Sequence, residues 1–224
     1  MSKRLQDSGF DQAAPFYDQL SRLVYGSSLQ RAQKALLPFL PQQGRVLVIG
    51  GGSGWLLEQI LRTGKQLDIL YLDASQAMLK RAKKKFRKYS YGHYWHVEFR
   101  LGTEQQLEPQ EQFDIIFTPF LLDLFPPKRL QNLMDKLDAA LAPEGLWLFA
   151  DFWPVQSPPP IWQRILIRGM YVFFGIISGV EAKDLPAYAT HFESLGLREI
   201  YSSSFFSDMV QAKVFAHQLQ NRYI

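Results

Sequence analysis

The sequence predicts one α/β domain: a seven-stranded, mostly parallel sheet with helices on both faces and an antiparallel last strand. Three observations lead there. The apolar run Val46–Ile49 ends in a glycine cluster, and a helix-like segment opens at once at Trp55. From there to Ala150, short apolar runs alternate with segments of helical period, the pattern of parallel strands joined by crossover helices. After Pro158-Pro159-Pro160 the alternation gives way to a long apolar helix, a short helix and two closing strands.

Each element has its own signal. Phe10, Ala13, Ala14, Tyr17, Leu20 and Val24 recur at helical spacing. Ser28 offers a cap for a second helix carrying Ala32, Leu36, Phe39 and Leu40, which Pro41 stops. Strand one is Val46–Ile49, a helix covers Trp55–Thr63, and strand two is Ile69–Leu72. Ser75 offers a cap for a basic helix reaching Lys88. Strand three, His96–Arg100, alternates with polar residues, which predicts less burial. Strand four is Phe113–Phe117. Leu130, Leu133, Met134, Leu137 and Leu141 form one helical stripe closed near Gly145, and Leu146–Ala150 is strand five. Helices over Ile161–Ile177 and Pro186–Leu195 and strands over Leu197–Ser203 and Val210–Phe215 follow. In such a sheet a ligand sits at the carboxyl ends of the strands, where strand order reverses.

Composition narrows the classes. The 224 residues suit a single domain with a sizeable core. A net charge of +4 is too small to imply nucleic acid, and none is expected as a partner. The lack of cysteine excludes disulfides and thiolate metal sites, and His93, His96, His191 and His217 make no recognised zinc spacing, so no metal is expected. Met1–Gln12 lacks a continuous apolar stretch, so no secretory signal is read and a cytoplasmic location is expected. The charge-free run Gly169–Val180 has the length of a buried or interfacial helix rather than of a membrane span.

The glycine cluster carries the chemistry. Gly50, Gly52 and Gly54 allow a sharp turn and leave room for a ligand, because no Cβ blocks its approach. Asp73 closes the second strand, 19 positions after Gly54. An acid about 20 residues beyond such a loop commonly takes a ribose hydroxyl, so the pair indicates an adenosine-bearing ligand. The plainer readings are a structural turn and, for Asp73, a helix cap.

With these residues placed, the chain resembles the class I S-adenosylmethionine-dependent methyltransferases, with their Rossmann-like sheet, over about Phe10 to Phe215. Val-Ile-Gly-Gly-Gly-Ser-Gly is similar to the family's acid-x-Gly-x-Gly-x-Gly, with Val48 at the acidic position. Leu72 to Leu79 is similar to its D-x-S-x-x-M-L. The resemblance implies S-adenosylmethionine as cofactor, held by Gly50, Gly51, Gly52 and Gly54. Asp73 would accept both ribose hydroxyl protons, with Ala74 beside it, and Met78 would pack on the adenine. Gly102-Thr103-Glu104 stands where the family usually has Gly-Asp-Ala, so Thr103 or Glu104 is expected at the adenine amine. Thr118 is expected near the cofactor at the end of strand four. The lead Phe10-Asp11 through Tyr17-Asp18 is similar to the F-D-x-x-A-x-x-Y-D of the ubiquinone/menaquinone-biosynthesis branch. That implies a helical N-terminal lid over residues 1–43, Tyr17 capping the cofactor, and a small, apolar or lipid-like acceptor. Residues 44–152 are then the cofactor-binding core, 153–196 an apolar helical insertion, and 197–224 the final strands and tail.

Other features keep two readings. The basic run Lys80–Lys88 spreads over several helix faces and reads as a solvated helix rather than an anion surface. The Ile161–Ile177 helix is core, the wall of an acceptor pocket to which Trp153, Trp162, Ile165, Met170, Phe173 and Phe174 point, or a membrane-surface contact through Arg164 and Arg168. His191 reads as structural. Asp123 and Asp151, after strands four and five, are each a base or a cap. Methyl transfer from a sulfonium needs alignment more than acid–base groups, so no catalytic residue is assigned. The alternatives are aminopropyl transfer, since the glycine loop also resembles that of spermidine synthases, and a non-catalytic S-adenosylmethionine-binding protein of the same fold.

Overall fold

The computed structural model describes residues 25–89, 96–156, 158–178, 182 and 184–218. The predicted Phe10–Val24 helix and its Tyr17 lie outside them. In chain order the elements are α1 (Ser28–Leu36), β1 (Gln43–Ile49), α2 (Trp55–Leu61), β2 (Gln66–Asp73), α3 (Gln76–Tyr89), β3 (His96–Leu101), β4 (Phe113–Pro119), α4 (Pro127–Ala139), β5 (Leu141–Phe152), α5 (Ile161–Ser178), α6 (Tyr188–Ser194), β6 (Leu197–Phe205) and β7 (Val210–His217).

The seven strands lie in the order β3-β2-β1-β4-β5-β7-β6. β1 pairs in parallel with β2 and with β4, β2 with β3 and β4 with β5, while β7 runs antiparallel to both β5 and β6. This is the predicted sheet. Chain order reverses between β1 and β4, so the crevice for a ligand opens above the ends of those two strands.

Alternation along the strands builds two cores. Val46, Val48, Tyr71, Phe117 and Ala150 face α1, α2, α3 and α5. Leu47, Ile49, Leu72, Trp147 and Phe149 face α4 and α6. Phe192 stacks on Phe215 at 3.7 Å in the second core. Strand β3 is one edge of the sheet and its side chains are at most partly buried, as its polar alternation predicts.

Two boundaries differ from the expectation. α1 ends at Leu36, and a 3-10 turn over Leu37–Phe39 carries Pro38. Pro38 has no N–H to continue the helix, so the stop comes before Pro41. Ser28 is not the cap but the first helical residue, and its hydroxyl accepts from Arg31 at 3.2 Å. α4 closes at Ala139 rather than near Gly145, and β5 begins at Leu141. The register of β4 against β5 jumps from Phe113–Leu141 to Ile115–Leu146, so residues 142–145 form an irregularity in the strand instead of a helix end.

α1 packs on β5, β6 and β7, with Ala32 and Leu36 fully buried.

Candidate active site

The loop after β1 is tied to the end of β2. Gly50 N–H donates to the Leu72 carbonyl at 2.9 Å and Gly52 N–H to Asp73 Oδ2 at 2.8 Å. The Tyr71 hydroxyl donates to the Gly52 carbonyl at 3.1 Å. Each glycine answers a different constraint. A Cβ at Gly51 would lie 2.4 Å from the Tyr71 ring, and one at Gly54 would meet the Ala82 backbone of α3 at 2.6 Å. Gly52 is different: its φ is +64° and a Cβ there would meet nothing within 4 Å. The empty space over Gly52 is the cleft.

Asp73 does double duty. Its Oδ1 accepts the Ser75 N–H at 2.9 Å, and Ser75 Oγ accepts the Met78 N–H at 3.1 Å, so the turn into α3 is capped through the same carboxylate that fixes the glycine loop. The neighbouring wall comes from Gly102, Thr103 and Glu104. Glu104 is buried and lies 2.8 Å from Arg129 on α4, in a two-pronged ion pair. Pro119, Phe120 and Leu121 continue β4 across the cleft, and Leu29, Gln30 and Gln33 of α1 close its side. Phe120 holds a φ of +52°, an uncommon backbone for a bulky residue, fixed by its N–H to the Ala150 carbonyl at 2.7 Å. The cleft encloses about 190 Å³, room for far more than a bridging water.

Residues 47–147 match the family model described as a methyltransferase domain. Over this span the chain is similar to methyltransferases, which supports an S-adenosylmethionine-dependent methyltransferase domain. A carboxy-S-adenosyl-L-methionine synthase of Wolinella succinogenes is 32% identical over 166 residues, 72% of this chain and 66% of the relative. A malonyl-[acyl-carrier protein] O-methyltransferase 2 of Ilyobacter polytropus is 33% identical over 107 residues, 48% of this chain and 39% of that protein. The chain thus spans roughly two fifths to two thirds of the length of these curated relatives. Among solved structures, the DhpI–SAH complex superposes with a TM-score of 0.66 over 98% of this chain and 100% of that one, at 18% identity, a likeness of fold.

Within the methyltransferase domain, the structure brings Gly50, Gly51, Gly52, Asp73, Ala74, Met78, Thr103 and Glu104 around one cleft. Two predicted residues stand elsewhere. Gly54 does not line it; its missing Cβ serves the contact with α3. The Thr118 side chain is fully buried and accepts the Trp147 indole N–H at 3.0 Å, so the cleft wall begins one residue later at Pro119. Val48 is fully buried in the apolar core, opposite Tyr71 and Phe117 in register. Among the described side chains, none from α5 lines the cleft, which overturns the pocket-wall reading for Trp162, Ile165 and Met170; the side chains of Phe173 and Phe174 lie outside the description.

Sequence reasoning missed the contribution of α1 and of Lys85, whose Nζ lies 3.5 Å from the Ser53 hydroxyl. Nothing in a helix of solvated lysines marks one of them as facing a cleft. The structure also decides between base and cap. Asp151 accepts the N–H groups of Leu122 (3.0 Å), Asp123 (3.3 Å) and Phe152 (2.8 Å), which makes it a cap of the turn after β4. Asp123 is hydrogen-bonded to Asp151, and both are buried. Burial lifts Asp123 to about 7 and holds Asp151 well above the usual carboxylate range, so the pair retains a proton at neutral pH. His191 lies 2.7 Å from Gln131, between α6 and α4 and away from the cleft.

Proposed function

We propose that this chain transfers the methyl group of S-adenosylmethionine to a small, apolar or lipid-like acceptor. The observation that carries the reading is the mixed lining of one cleft. The bare backbone of Gly52 and Asp73 share it with Leu29, Phe120, Leu121, Leu124 and Phe125.

The residues fit the cofactor. The Asp73 oxygens accept the Gly52 and Ser75 N–H groups, which holds the carboxylate at the cleft, where it would meet the ribose hydroxyls. Met78 offers an apolar surface for the adenine, whose amine edge would meet Thr103 and Glu104. The carboxypropyl end would pass over Gly52. When bound, the cofactor supplies an activated methyl on a sulfonium that departs as a neutral thioether. The apolar wall then orients the acceptor and excludes water, which lowers the barrier without an acid or base from the chain.

Aminopropyl transfer asks for an acid after β4 to hold an amine. The cleft-facing residues there are Pro119, Phe120 and Leu121, and Asp123 does not line the cleft. A second acceptor class is suggested by Lys85: its ammonium suits a small carboxylic acid.

Calorimetric titration with S-adenosylhomocysteine tests the cofactor, with saturable binding expected. A methyl-transfer screen across quinone precursors, fatty acyl compounds, amines and small acids tests the acceptor, with turnover expected for apolar compounds. Absence of binding would sink the whole reading. Turnover confined to small acids would keep the enzyme and replace the acceptor.

A further inference from the structure

Helix α5 is fixed to the domain by one face only. Gln163, Ile167, Met170 and Tyr171 are buried. The Gln163 side-chain amide donates to the Ser207 carbonyl at 2.8 Å, and the Tyr171 hydroxyl donates to the Asp123 carbonyl at 3.1 Å. The opposite face is exposed and yet largely apolar. Ile161 is 74% exposed, Ile165 64%, Val172 63% and Trp162 43%. At 3.6 residues per turn these positions, with the exposed Arg164 and Arg168, form a single stripe. The three aliphatic residues lie along its centre, the two arginines along one margin and Trp162 along the other. α5 contains no acidic residue. A soluble helix ordinarily turns its apolar face inward, and a contiguous exposed one marks a contact.

We infer that the outward face of α5 docks this domain on an anionic lipid surface, with Ile161, Ile165 and Val172 at the acyl boundary and Arg164 and Arg168 at the headgroups. Charge selects this occupant. Two arginines without a neighbouring acid on the helix match a negative surface. An aromatic at the margin matches the interfacial zone, where an indole keeps one edge wet. No helix among the described residues is long and apolar enough to cross a membrane, so the contact is parallel to the surface. The inference goes beyond the proposed reaction and stands even if the acceptor proves polar, because no described α5 side chain lines the cleft.

Vesicle co-sedimentation tests it, using phosphatidylcholine alone and phosphatidylcholine mixed with phosphatidylglycerol. Strong binding is expected only for the mixed vesicles. Arg164→Gln and Arg168→Gln should each weaken it about five-fold, and Ile165→Ser should weaken it further. S-adenosylhomocysteine affinity, read by calorimetry, should be unchanged in all three variants, which separates this result from the fate of the cleft. Equal or absent binding to the two vesicle types, or glutamine variants as tight as wild type, overturns the inference. So does lipid-free self-association that Ile165→Ser abolishes, which would give the face to a second copy. Cross-links from residues 1–24 to α5 in the lipid-free protein would give it to the chain's own leading segment.

Discussion

The glycine cleft and helix α5 treat their polar and apolar groups in opposite ways. Around the cleft, the backbone N–H of Gly50 and of Gly52, both oxygens of Asp73 and the Glu104–Arg129 pair are all engaged within the protein. The surface that remains is shaped before any ligand arrives. Along α5 the anchored face is held by the Gln163 amide and the Tyr171 hydroxyl, while the outward face leaves aliphatic side chains in water. The first arrangement is preorganisation for a small ligand, which reduces the ordering cost of binding. The second keeps apolar area unburied until something large and flat covers it. Between them lies the Asp123–Asp151 pair, which caps the turn after β4 with one carboxyl and receives the Tyr171 hydroxyl of α5 on the backbone of the other.

Changes that cut into the spent side should cost the most. Arg129→Ala would leave Glu104 buried without its cation, and should destabilise the fold by about 3–5 kcal/mol in denaturant unfolding. A loss below about 1 kcal/mol would show that the pair is solvated and that the wall is looser than its geometry.

The joint between the regions should respond to pH. Asp123 stands at about 7 in the fold against 3.8 for a free aspartate. The native state therefore binds more protons than the unfolded chain between those values. The contribution of Asp123 is full below about pH 4 and is lost as pH rises towards 7, a change on the order of 3 kcal/mol. Asp123→Asn should flatten this slope in thermal melts taken from pH 4 to 8. An unchanged slope would place the source elsewhere.

Gly52→Val tests the cleft itself. The new side chain would stand in the open space above the loop, and its positive φ adds strain of about 1–2 kcal/mol. The variant should still melt cooperatively yet lose at least about 100-fold in S-adenosylhomocysteine affinity. Retained affinity in calorimetry would move the cofactor off the glycine loop.

The smallest effect belongs to α5. Ile165→Ser, at an exposed position, should change stability by less than about 0.5 kcal/mol. A loss of 2 kcal/mol or more in the same unfolding assay, the scale of a buried aliphatic, would mean the face is covered in solution, and the contrast between the regions would dissolve.

The cleft was legible because its determinants are local in the chain. A strand, glycines where no Cβ fits, and an acid closing the next strand leave their marks within 29 residues, from Arg45 to Asp73. The mostly parallel sheet with its antiparallel last strand and the Ser75 cap followed from the same short-range signals, whereas the strand order, and with it the β1–β4 crevice, came from the tertiary structure. Other features depended on which residues meet across the fold. The purpose of Gly51 and Gly54 is set by Tyr71 and Ala82, and the loss of Thr118 from the site is set by Trp147. Lys85 gains its place only because α3 lies over the loop.

Sequence alone determined the sheet, the glycine loop and the likeness to a methyltransferase domain, since hydrophobic period, glycine and turn chemistry act between near neighbours. It also showed that α5 is apolar on most of its surface. Only the tertiary structure decided which of its faces is buried. A helix rich in apolar residues all round has no sequence-encoded inside, and the choice falls to the partners that fill one side. Here Gln163 meets the β6–β7 turn and Tyr171 meets the turn after β4, so Ile161, Ile165 and Val172 are left facing out.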